Sequence, residues 1–151
     1  MKSRVLLIGM LLSMAVGTIA YNLFQHTGTF PEVLIRACGL YANLFLFLAI
    51  ISSEYMLQMR RTFGRSFINV HHQLSRIGVA LMLFHPLVFA FQEGAIVFVP
   101  VLYPPDAFLE LAGRPALYIV FAAVLAALNR KKIPRKWKSI HALNYLAFLL
   151  I

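Results

Sequence analysis

An all-α fold, a polytopic bundle of about five transmembrane helices, follows from three properties of the sequence: its apolar content, the length of its apolar runs and the division of its charges. Of 151 residues, 61% are hydrophobic and only 13% are charged, and the mean hydropathy is +0.79. A water-soluble domain of this size needs far more polar surface, so the composition points to a lipid bilayer as the solvent for much of the chain. The formal net charge of +9 would suit nucleic acid. The basic residues, however, form short clusters between apolar runs instead of a solvated face, the distribution that the positive-inside rule describes.

Bridging the hydrocarbon core takes about 20 apolar residues in a helix, and each run can be measured against that length. Residues 5–24 carry no charge. With Lys2 and Arg4 ahead of them they make a first span or the apolar region of a signal peptide, and the length of the run favours the span. Residues 33–53 form a second, interrupted only by Arg36. Residues 68–91 form a third, containing His71, His72, His85 and Arg76. The fourth, residues 112–128, is shorter, with Arg114 near its start. A fifth begins at Ile140 and reads HALNYLAFLLI to the end of the sequence. Residues 140–151 would make about 18 Å of helix against about 30 Å of hydrocarbon. The fifth span is therefore expected to be completed by further chain or by a membrane partner, and the complete protein to hold six spans. Residues 94–105 (GAIVFVPVLYPP) are apolar but broken by prolines, and are expected to lie in the outer interface. The whole of 1–151 is read as a single transmembrane domain.

The charges orient these spans. Lys2 and Arg4 precede the first. Arg60, Arg61 and Arg65 separate the second from the third, and Arg130, Lys131, Lys132, Arg135, Lys136 and Lys138 separate the fourth from the fifth. If five spans alternate, 11 of the 14 basic residues share one side, and Glu32, Glu93, Asp106 and Glu110 take the other. This division predicts a plasma (inner) membrane protein with a cytoplasmic N-terminus.

Ionisable groups within a membrane helix are costly and are functional candidates for that reason. His71 and His85 are 14 positions apart, about 40° short of four helical turns, with a rise of about 21 Å. Both rings are expected on one face, one towards each side of the membrane. Gly78, midway between them on the same face, would let a flat macrocycle approach the backbone. His72 falls off this register. His141 opens the fifth run on the side where His71 opens the third, so the two are expected at similar depth. Paired imidazoles from facing helices give six-coordinate haem suited to electron transfer. The single cysteine, Cys38, lies in an apolar run, and no Cys-x-x-Cys-His is present for covalent attachment. Any haem must then be b-type, held by axial ligands alone.

Blander readings stand beside this one. Each histidine could serve as a helix–helix hydrogen bond or a proton relay, as in a cofactor-free structural or assembly subunit, or a small transporter. His26 reads as a solvated loop residue. His72 reads as a headgroup-level residue or a partner of a haem propionate. Arg36 and Arg76 could each neutralise a propionate or snorkel to the interface. Pro86 frees the carbonyl of Met82 and is positioned to bend the third run.

Taken together, the basic turn RRTFGR, the histidines separated by thirteen residues with a proline after the second, and the later WKSIHALNYLAFLL resemble the ferric reductase-like transmembrane domain. That family includes ferric-chelate reductases, NADPH oxidases and the haem subunit of the periplasmic methionine sulfoxide reductase system. The resemblance covers roughly residues 60–151. It implies that His71 and His141 hold an inner haem b and that His85 is one ligand of an outer haem. It also implies a flavin (FAD or FMN) and nicotinamide donor on the cytoplasmic side, in a further domain or a partner subunit, and an acceptor on the outer side. Two departures are notable. Ser75 stands where family members often have glycine, and the second outer ligand would fall four residues beyond Ile151.

Overall fold

The computed structural model describes residues 2–25, 27–63 and 67–151. Among these the secondary structure is entirely helical, without strands. His26 and the Gly64–Arg65 part of the basic turn lie outside the described residues, so the expectations placed on them have no structural counterpart.

The first run folds as α1 (Lys2–Gln25) and the second as α2 (Phe30–Glu54). Pro31 sits in the first turn of α2, where its missing N–H costs nothing. Glu32 accepts the Thr29 backbone N–H at 2.8 Å, closing the entry to the helix and setting a carboxylate against its positive end. A short helix α3 (Met56–Phe63) occupies the basic connection. The third run is α4 (Phe67–Glu93), continuous through Pro86. The segment after α4 contains a 3₁₀ turn (Ala95–Phe98), a cis peptide between Tyr103 and Pro104 and a six-residue helix α5 (Pro105–Glu110). The fourth run is α6 (Gly113–Leu128). The fifth differs from expectation: it divides at Leu143 into α7 (Trp137–Ala142) and α8 (Asn144–Leu150). No glycine or proline marks that break in the sequence.

Among the described residues two helices, α2 and most of α4 (Ile68–Glu93), are long and apolar enough to cross a membrane, and α6 is apolar but shorter. Only 17% of the most apolar stretch of α2 and 11% of that of α4 is buried within the protein. A core helix of a soluble domain would be mostly covered. Phe47, Ile77, Phe84 and Leu87 instead point outward, a surface that suits hydrocarbon.

The chain divides into two compact units, residues 1–89 and 90–151. In the first, α1 packs along α2. The residues of α2 that are buried, Cys38, Ala42, Ala49 and Ser52, recur at helical spacing on one side, and small side chains there permit close helix approach. In the second unit α6 packs against both α7 and α8. Its buried stripe Ala116, Val120, Ala123 and Ala126 is again mostly alanine, and Ala147 of α8 is fully covered. The 3₁₀ turn is fastened to α6 from above: Arg114 Nη1 donates to the carbonyls of Ile96 and Val99, each at 3.2 Å, and the Tyr118 hydroxyl donates to that of Phe98 at 2.7 Å. Val97 is buried beneath.

Candidate functional site

Within the first unit, the histidine face of α4 meets α2. His71 lies opposite the C-terminal half of α2, where its Nδ1 is 2.9 Å from the carbonyl oxygen of Ala49. His85 lies opposite the other end, with Nδ1 2.8 Å from the carbonyl oxygen of Ile35. The chain runs of α2 and α4 are thus antiparallel, and the two imidazoles sit on one face with the neighbour they share identified as α2.

The contacts around each ring differ. Ser52, a fully buried polar side chain, donates its hydroxyl to the same Ala49 oxygen at 2.7 Å and stands 3.5 Å from His71 Nδ1. Ser75, one turn along α4, places its hydroxyl 3.5 Å from His71 Nε2. At the other end, Gly39 supplies the clearance for His85. A Cβ added there would meet the ring at 3.1 Å from Nδ1 and 3.2 Å from Cε1. The sequence reading missed Gly39. Its only signal is its place four residues after Ile35, on the same side of α2.

Gly78 does lie on the histidine face, but the space beside it holds Leu46. A Cβ there would come within 3.0 Å of Leu46 Cγ and 3.1 Å of its backbone nitrogen. The glycine therefore serves the close approach of α2 to α4. His72 is exposed, its ring centroid 6.0 Å from that of His71. Arg36 and Arg76 are both exposed. Cys38 is buried in α2 as a free thiol.

In the second unit, His141 is half-buried on α7 with Nδ1 3.2 Å from the carbonyl oxygen of Ala123 on α6. The Asn144 amide also meets Nδ1, at 3.3 Å, and Trp137 lies one turn earlier with its ring centroid 6.3 Å from the imidazole. Neither Ala123 nor Asn144 is identifiable as a partner from spacing alone.

One contact, from Nδ1 to a carbonyl oxygen, is common to His71, His85 and His141. A carbonyl oxygen can only accept, so the Nδ1–O contacts of His71 and His85 put the ring proton on Nδ1, whereas at His141 the Asn144 amide nitrogen, a donor, competes for that same Nδ1. At His71 and His85 the lone pair then belongs to Nε2, the nitrogen turned away from the anchoring carbonyl. Ligating histidines characteristically have this arrangement, with the second nitrogen bonded to a carbonyl that fixes tautomer and ring orientation and raises ligand basicity. A single imidazole held this way has the orientation of an axial haem ligand, and at His71 the Ser75 hydroxyl also reaches Nε2. Among the described residues no group of three or more His, Cys, Asp or Glu side chains comes together to hold a bare metal ion. Compared with known protein families, curated proteins and solved structures, the chain matches none.

Proposed function

We propose that this chain is an integral membrane subunit that holds b-type haem and carries electrons across the bilayer, in the manner of the ferric reductase-like domain. The observation that carries the proposal is the shared Nδ1-to-carbonyl contact of His71, His85 and His141, the kind of contact by which ligating histidines are oriented. His71 and His141 are assigned to one haem and His85 to a second. When bound, haem supplies one-electron exchange between ferric and ferrous iron. The protein's own share is to fix ring orientation and to surround the ligands with apolar side chains, which sets the potential. A flavin domain or subunit on the cytoplasmic side is the proposed donor. The bilayer is the proposed setting, with the basic loops cytoplasmic and a membrane partner completing the outer haem site.

The test is a reduced-minus-oxidised spectrum of membranes containing the protein. A b-type α-band is expected, and its loss of one component in H71A and H141A membranes that retain the protein. No α-band in the parent protein would defeat the proposal.

A second reading has its own support. His71 and His85 both bond to α2, and Leu46 fills the space at Gly78. This is the arrangement of two polar ties between membrane helices, each worth about 0.6–2 kcal/mol. Under that reading the chain is a cofactor-free structural or assembly subunit. Both histidine variants would then lower thermal stability without any spectral consequence.

A further inference from the structure

Between α6 and α7, Arg130, Lys131, Lys132, Arg135, Lys136 and Lys138 are all exposed. Residues 111–151 contain no acidic side chain, so nothing within that stretch neutralises them. The connection is nonetheless ordered as a series of tight turns. Lys132 N–H donates to Asn129 O at 2.8 Å, Ile133 N–H to the same oxygen at 3.2 Å, Lys136 N–H to Ile133 O at 3.1 Å and Trp137 N–H to Ile133 O at 3.0 Å. Ile133 and Trp137 are half-buried while the cations between and around them are exposed. Lys138 Nζ stands 6.0 Å from the Trp137 ring. The turn therefore presents a dense positive surface on a folded backbone, directly at the ends of an apolar helix and beside an indole.

We propose that residues 129–138 form a docking surface for the headgroups of anionic phospholipids, and that lipid bound there fixes α7 and with it His141. The inference rests on the membrane reading above. Charge complementarity selects an anionic partner. Lipid is the source because the cations directly follow the apolar helix α6, an end that the membrane reading sets at headgroup depth, and because tryptophan belongs at that interface. Six cations packed this closely exceed what helix-end electrostatics alone requires, since that effect fades within the last turn. Trp137 is one turn from His141, so a headgroup that holds the indole and its neighbouring lysines also limits the pivoting of the histidine.

Trp137 is the only tryptophan in the chain, and its fluorescence reports on this turn alone. The full-length protein, retained in membranes after an alkaline carbonate wash, is purified in a zwitterionic detergent and titrated with phosphatidylglycerol, phosphatidylcholine or inorganic phosphate. A saturable change in Trp137 emission is expected with phosphatidylglycerol only, weakened by added salt. Its midpoint should move by roughly tenfold or more in K131Q/K132Q/K136Q. Equal responses to the two lipids, or an unchanged midpoint in the triple variant, would overturn the proposal. So would a response to an acidic protein with none to phosphatidylglycerol, which would make the turn a protein-docking surface. A protein released by the carbonate wash would sink the membrane reading itself, whereas failure of the lipid titration alone leaves it standing.

Discussion

The imidazole of His85 is bonded through Nδ1 to the carbonyl oxygen of Ile35 at 2.8 Å, across a gap that exists because residue 39 has no side chain. That relationship joins a ring on α4 to a backbone position fifty residues earlier. It places the ring proton on Nδ1 and sets where the ring is turned.

Replacing Gly39 with alanine sets a Cβ 3.1–3.2 Å from the His85 ring, so ring or helix must give by a few tenths of an ångström. G39A is expected to disturb the haem assigned to His85 and to leave the signal of the His71 haem in place. A haem spectrum identical in shape and amplitude to the parent's would remove His85 from the ligand set.

Single alanine variants of the three histidines separate the sites. H85A is expected to lose the outer haem alone, whereas H71A and H141A lose the same inner one, each lowering haem content by about one equivalent. Pyridine haemochrome assay per mole of membrane-inserted protein is the measurement. Different spectral components lost in H71A and H141A would show that the two do not share an iron.

Gly78→Ala tests helix approach directly. The new methyl meets Leu46 at 3.0 Å, and overpacking of this kind costs about 1–3 kcal/mol. A lowered melting temperature in detergent is expected, restored in part by L46A, because that change removes the side-chain atoms the methyl would meet while the Leu46 backbone nitrogen stays. Additive losses in the double variant would mean the two residues do not meet.

Tyr118→Phe removes the hydroxyl that donates to Phe98 O at 2.7 Å. The loss is about 1 kcal/mol, confined to the 3₁₀ turn. Faster amide exchange is expected at Val97 and Val99, whose N–H groups close that turn, with α2 and α4 unaffected. Uniform acceleration along the chain would point to a global role for Tyr118.

How far these features were legible in the sequence varies with their physical origin. The helical runs were legible because length and apolarity are local properties, and α1, α2, α4 and α6 fall within a few residues of their expected limits. The co-facial placement of His71 and His85 was legible because fourteen residues nearly complete four turns. The identity of the facing helix was not, since periodicity gives a direction without naming a neighbour. Gly78 was recognised as a point of close approach, yet what approaches it depends on where Leu46 comes to rest. Gly39 escaped notice because its reason lies in a ring from another helix. The division at Leu143 escaped because neither glycine nor proline stands there, and Asn144 is only a weak helix former, not a breaker.

His71 and His85 are moored to a single neighbour at points about 21 Å apart along α4. A slip of one residue between α2 and α4 would swing both rings by about 100°, off both carbonyls together. The two contacts therefore act as pins through a pair of rods, admitting one vertical offset and rejecting its neighbours jointly. The pair of helices thus carries a built-in index of its own alignment.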